Sequence, residues 1–370
     1  PWPAARMIVR QLRAMKGASG RIEHADKPAI AGFPSGFHNP RRNPLRPLAG
    51  QEAKVYGECM SDSQHPPSPL PYLVMLASPL FFSTNLVFGR YVTGEVTPFL
   101  LAAMRWGAVA LILSPLLFIH RGTIGPLVRA EWKRLALLGI LGMGICGGGI
   151  YLALKYTTAT NGTLIYTTSP VLIILLERIF TGRRSHFREV LGTAIAFGGV
   201  AVIVLRGSLE TALSLSLNIG DLLVFAGAVS WAGYSILYRS EPVRQVGNLP
   251  LFGLVAIFGA LANLPVALWE LSQGDALPTE THSWAAIGGI VFISSLLAFS
   301  TYQFGVRALG ASIAGVFMYL LPPYGVGLAI VFLGEEFHNY HAAGIALVMA
   351  GVIIATFPAS LLRRLTARTA

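Results

Sequence analysis

The sequence predicts an all-α membrane protein in which ten transmembrane helices form two inverted five-helix repeats. Three observations carry that prediction. Hydrophobic residues make up 54% of the 370 positions and charged residues only 12%, about half the charged share of a soluble domain, and the mean hydropathy is +0.60. Apolar windows of the length a bilayer requires follow one another with short gaps. The chain also repeats itself once, at a spacing of 152 residues. A water-soluble enzyme is excluded on these grounds, because too little polar surface remains to cover its globule.

Residues 1–69 stand apart. Arg6, Arg10, Arg13, Lys16, Arg21, Arg41, Arg42 and Arg46 are scattered among prolines, glycines and serines, and neither a spanning segment nor a signal-peptide core fits there. The composition is that of a disordered basic tail. Position 1 is Pro, whereas Met60 precedes a short polar run and the first span, so Met60 is the expected natural start. A basic arm touching anionic lipid is the functional alternative.

The first span, about 71–90, ends on Ser83, Thr84, Asn85 and Arg90. The second, 97–119, holds Arg105 near its beginning. A turn expected at Gly122–Pro126 leads to the third, 135–154, rich in glycine (Gly139, Gly142, Gly144, Gly147, Gly148, Gly149) and closing on Tyr151. The fourth, 160–180, carries Asn161, Pro170 and Glu177 and is followed by Gly182, and the fifth is 188–205. In the second half the spans are 219–238 with Trp231 and Tyr234, 249–269 with Asn263, and 284–305 with Ser294, Ser295, Ser300, Thr301 and Gln303. The last two are 311–332 with Tyr319 and Pro322, and 340–357. The chain therefore divides into a tail (1–69), a first five-helix repeat (70–207), a second (218–358) and a C-terminal tail (359–370).

Pro170 and Pro322, Gly182 and Gly334, Gly192 and Gly344, Gly199 and Gly351, and Lys155 and Arg307 are each 152 residues apart. Arg90 aligns with Arg239 at a slightly different shift. Five spans per repeat is an odd number, so the second half must lie upside down relative to the first. The loops agree: the basic segment Gly182–Arg188 corresponds to the acidic Gly334–Tyr340, and Arg121–Arg134 to a region with Glu270, Asp275 and Glu280.

Lys and Arg in short loops set the orientation. Arg121, Arg129, Lys133, Arg134, Arg178, Arg183, Arg184, Arg188, Arg239, Arg244, Arg307, Arg363, Arg364 and Arg368 fall on one side, and Arg90, Lys155 and Arg206 on the other. Fourteen against three puts both termini in the cytoplasm. The formal charge of +11 is thereby absorbed as topology signal plus tail, and no nucleic-acid partner is needed. Inverted repeats are a device for alternating access around a site near the midplane. A duplication kept for packing, or a channel, are the alternatives.

The tracts Tyr151–Gly207 and Tyr302–Pro358 resemble EamA domains of the drug/metabolite transporter superfamily, with support from "TPFLLAAMRW" at 97–106, "GDLLVFAGAVSWAGYSILYR" at 220–239 and "LGEE" at 333–336. The resemblance implies spans one to four and six to nine around a central path, with five and ten at the periphery. It also implies a plasma-membrane carrier that exports small amino-acid-like or drug-like metabolites. A sugar-phosphate or nucleotide-sugar exchanger is the alternative within transport, and a membrane enzyme or non-transporting scaffold the alternative outside it.

Polar groups inside spans are costly and hence functional candidates. Arg105 is either an anchor for a substrate carboxylate or phosphate, or a structural group held by an ion pair or by hydrogen bonds to helix-end carbonyls. Glu177 is either a proton-coupling group or a salt-bridged helix end. Asn85, Asn161, Tyr151, Gln303, Tyr319, Trp231 and Tyr234 are path candidates; Tyr151 and Gln303, equivalent in the repeat, are expected to line the cavity, while Trp231 and Tyr234 could equally be core. Pro170 and Pro322 are expected kinks.

His338 and His341 have an HxxH spacing but no further ligand set, so no metal is expected, and neither a cofactor nor a nucleophile motif is indicated. Cys59 and Cys146 give no disulfide framework. The expected partners are a small-molecule metabolite and the lipid bilayer, with the oligomeric state open, a homodimer included.

Overall fold

The computed structural model describes residues 69–92, 94–274 and 277–356. The basic tail with Met60 and Cys59, Asp275, and the C-terminal tail with Arg363, Arg364 and Arg368 lie outside the described residues. Among the described residues every regular element is helical. Ten helices are long and apolar enough to cross a membrane: α1 (Leu70–Arg90), α2 (Pro98–Ile119), α3 (Arg121–Ala153), α4 (Thr160–Thr181), α5 (Phe187–Val204), α6 (Ile219–Leu237), α7 (Asn248–Ser272), α8 (Thr281–Leu309), α9 (Ala311–Leu333) and α10 (Asn339–Thr356).

One boundary differs from the sequence reading. Gly122–Pro126, expected as a turn, is helical, and α3 bends at Glu131 (φ −121°, ψ 19°) before its apolar part begins. The Thr123 and Ile124 amides both donate to the His120 carbonyl, which starts the helix, and burial of Ile124 and Leu127 holds it. A hydropathy window misses such a segment because its exposed polar face averages out the buried one.

The halves are related by the packing as well as by the sequence. α1 packs on α8 and α9 as α6 packs on α3 and α4, and α2, α4 and α5 meet their own counterparts α7, α9 and α10. This reciprocity is what a pseudo-two-fold axis produces. α5 and α10 pack chiefly on each other, through glycines. A Cβ on Gly192 would stand 2.5 Å from the Gly351 carbonyl oxygen, and one on Gly199 2.7 Å from that of Gly344. The 152-residue shift exchanges these two contacts, so the repeated glycines are the points where two backbones touch.

Equivalent helices are also interrupted equivalently. α3 and α8 turn π-helical over Ile140–Gly149 and Ile290–Leu297, a geometry that appears mostly where function needs it. α4 breaks between Tyr166 and Ser169, and α9 passes through a 3₁₀ turn at Met318–Leu320. Pro170 and Pro322 each lie in the first turn of the helix that resumes, where a missing amide hydrogen leaves no bond unmade.

Candidate functional site

α2 brings Arg105 to the middle of the molecule. Its buried stripe Leu101, Ala102, Arg105, Trp106, Val109 and Leu113 follows helical spacing, so a cation stands in a row that is otherwise apolar. The start of α2 is fixed by Glu270 of α7, whose carboxylate accepts from the Phe99 amide at 3.1 Å and the Leu100 amide at 2.9 Å. Glu270, expected in an acidic loop, is thus a buried cap that favours the positive end of the helix dipole.

Arg105 is 6% exposed. Its Nε donates to Ser295 Oγ at 2.5 Å and Nη2 to the Ser294 carbonyl at 2.9 Å, both in the π-helical stretch of α8. Nη1 reaches the Tyr151 hydroxyl at 3.4 Å, and that hydroxyl in turn bonds the Asn85 amide at 3.2 Å. The guanidinium carbon lies 4.7 Å from the Trp106 ring centre, close enough for a cation–π contact. No carboxylate among the described residues pairs with it. The ion pair of the structural reading of Arg105 is therefore missing from the described residues, while the hydrogen bond to a helix carbonyl that the same reading allowed is present, beside bonds to hydroxyls.

Arg105 lines a cavity of about 220 Å³. Its wall takes Phe82 and Asn85 from α1, Trp106 from α2, Cys146 and Tyr151 from α3, Tyr166 and Pro170 from α4, Trp231 from α6, Phe299 from α8, and Met318 and Tyr319 from α9. A second space of about 500 Å³ shares Phe82, Asn85, Tyr166 and Leu321 with it and runs past Pro322 and Gly325 to Arg90 and Glu335. Those two side chains form an exposed ion pair at 3.2 Å.

The opposite end is filled. The Trp231 ring lies 4.8 Å from that of Tyr302, tilted by 33°, and Phe82 lies 5.0 Å from Phe299. Behind them, the Gln303 amide donates to the Tyr234 hydroxyl at 2.6 Å and its oxygen accepts from Tyr238 at 3.0 Å. Gln303 and Tyr234 thus lie away from the cavity wall expected of Gln303, because their polar ends satisfy each other inside the α6–α8 contact. Asn161 also stands elsewhere, donating to the Ser216 carbonyl and to Asp221 at the start of α6.

Glu177 lies at that closed end. It accepts from the Ser312 hydroxyl and backbone amide and pairs with Arg183 at 3.2 Å and Arg239 at 3.6 Å. Arg183 reaches on to Glu189 at 2.7 Å. The cluster ties α4 and α5 of one half to α6 and α9 of the other. Arg178, the next residue along the chain, takes no part in these pairs.

Among the described residues no group of three His, Cys, Asp or Glu side chains could hold a metal; His341 Nδ1 accepts from the His338 amide at 3.2 Å. Phe82, Trp106, Tyr166 and Phe299 were not singled out in the sequence, since aromatic residues at helical spacing look like core. The available signal was position: Trp106 adjoins Arg105, and Tyr166 is one turn before Pro170.

The profile of the EamA-like transporter family matches residues 69–205 and 218–357. The chain belongs to this family. Among relatives of this EamA-like chain, "Uncharacterized transporter YyaM" of Bacillus subtilis is 29% identical over 285 residues, covering 77% of this chain and 93% of that protein. "Probable terminal-alkyne amino-acid exporter" of Streptantibioticus cattleyicolor is 26% identical over 255 residues, covering 66% of this chain and 80% of that protein. A solved crystal structure of a protein matches with a TM-score of 0.64 at 24% identity, covering 77% of this chain and 97% of that one. The EamA-like chain is a multi-pass membrane protein of the transporter class.

Proposed function

We propose that the protein exports a small organic acid, of amino-acid-like size, across the plasma membrane by alternating access, with both termini cytoplasmic. The observation that carries this reading is Arg105: a buried guanidinium on the cavity wall with no carboxylate partner among the described residues. A buried cation without a counter-ion is costly, and a substrate carboxylate offsets that cost when it binds. The aromatic wall suits a small apolar body. A sugar phosphate or nucleotide sugar would call for further cations, and Arg105 is the one charged side chain on this wall.

Under the proposed topology the Arg90 and Glu335 end faces outward and the Glu177 cluster inward, so the conformation described is open to the outside. The direction is supported by the relative named as an amino-acid exporter. The test is counterflow in proteoliposomes with a panel of radiolabelled carboxylates, amino acids, nucleosides and sugar phosphates. Exchange of a carboxylate class that falls roughly ten- to hundredfold in Arg105→Gln is the expected result. Exchange that survives the substitution undiminished refutes the anchor, and uptake confined to phosphates refutes the substrate class.

A further inference from the structure

The cavity wall holds more than one donor in need of an acceptor. Tyr319 is fully buried, lines the cavity, and its hydroxyl has no hydrogen-bond partner among the described residues. The Trp106 indole N–H, 1% exposed and on the same wall, has none either. An indole N–H can only donate. Buried polar groups are nearly always paired, and an unpaired one calls for an explanation.

The tyrosine hydroxyl beside Arg105 behaves differently: Tyr151 is taken up by Asn85 and Arg105. The unpaired pair therefore does not reflect a general looseness of the site. Tyr319 is placed by the 3₁₀ turn Met318–Leu320 that interrupts α9. That turn stands where the repeat brings Tyr166, Thr167 and the break in α4. Two irregular stretches from the two halves thus meet at one cavity, and Tyr319 is what the second half brings to it.

We infer that the substrate carries a second hydrogen-bond acceptor besides its carboxylate, so that it bridges Arg105 of the first half and Tyr319 of the second, with Trp106 as an auxiliary donor. This rests on the reading of the cavity as the substrate site and narrows its substrate class. The wall holds a guanidinium, an indole N–H and the phenols of Tyr151, Tyr166 and Tyr319, and no carboxylate. It matches an oxygen-rich organic acid, such as an oxo or acyl carboxylate, better than an amine, because the guanidinium and the indole N–H only donate. A ligand held by both halves also senses their relative movement, which a ligand on Arg105 alone would not.

The experiment uses the purified full chain with four probes of one chain length: hexanoate, 5-oxohexanoate, 6-aminohexanoate and hexylamine. Binding is read by thermal stabilisation and by competition in counterflow. The 5-oxo acid is expected to bind about three- to tenfold more tightly than hexanoate, the range one neutral hydrogen bond supplies. Tyr319→Phe removes that gain and leaves hexanoate unchanged, while the ligand-free melting point holds or rises because an unpaired hydroxyl has been deleted. Trp106→Phe lowers affinity for the 5-oxo acid. Equal binding of the two acids, an equal loss of both in Tyr319→Phe, or tighter binding of hexylamine overturns the inference while leaving an Arg105-dependent acid site intact. Failure of every acid to bind overturns both this inference and the reading beneath it.

Discussion

Arg239, just beyond α6, stands 3.6 Å from Glu177 of α4, and Arg90, its counterpart in the first half, stands 3.2 Å from Glu335 just beyond α9. Each pair joins the end of the first helix of one half to the end region of the fourth helix of the other. They differ in setting: Glu177 is 5% exposed within a wider cluster, whereas Glu335 is 51% exposed and has Arg90 as its one ion-pair partner among the described residues. Exposed pairs contribute little, and removing one partner of a buried pair costs far more. The asymmetry matches the cavity, which is open beside Arg90 and filled beside Glu177.

Glu177→Gln is expected to loosen the closed end. Loss of one partner from a fully buried pair costs about 3–5 kcal/mol, and partial exposure of Arg183 and Arg239 brings the effect below that. Complete inversion of a two-state carrier takes about 5.5 kcal/mol, so the variant populates both states. Cys146 on the cavity wall reports the change. In a Cys59→Ser background, labelling of Cys146 by an impermeant methanethiosulfonate from outside falls several-fold in Glu177→Gln, and unaltered labelling would sink the gate.

Arg105→Gln is expected to lower transport roughly ten- to hundredfold, the equivalent of losing one charge-assisted hydrogen bond of about 1.5–3 kcal/mol. Membrane abundance should hold, because glutamine keeps polar contacts to Ser294 and Ser295. Immunoblotting beside counterflow separates the outcomes: lost abundance assigns Arg105 to folding.

The glycine crossing of α5 and α10 is expected to tolerate no side chain. Gly192→Ala drives a methyl against the Gly351 carbonyl and the Ala355 amide, each 2.5 Å from the new carbon. Backbone cannot swing aside as a rotamer does, so the destabilisation reaches about 1–3 kcal/mol or more. Gly198→Ala, one position from Gly199 and facing open space, is the neutral control. Equal melting points for the two variants would contradict the close approach.

The proposed topology predicts that single cysteines placed at residues 184 and 244 react only from the cytoplasm, and one at 206 only from outside. Reaction of residue 184 from outside would overturn the orientation and, with it, the assignment of an outward-open state.

The sequence by itself determined the ten apolar segments, the repeat and the family, because each rests on periodicity and composition that survive without coordinates. Gly192, Gly199, Gly344 and Gly351 could be read as a repeat pattern, but only the tertiary structure makes them two backbone contacts, since a glycine in sequence does not say which carbonyl it faces. Arg105 could be singled out as an expensive buried charge, yet its bonds to Ser294 and Ser295 depend on a π-helical stretch of α8 190 residues away. Local propensity carries no record of that register.

Gln303 shows the same limit from the other side. As the repeat partner of Tyr151 it was expected on the cavity wall, but the halves are not identical, and Tyr234 and Tyr238 of α6 hold its amide inside a helix contact. Repeat symmetry is legible in the chain. Which polar end finds a protein partner and which, like the Tyr319 hydroxyl, finds none among the described residues is decided only when helices distant in sequence close around a shared space.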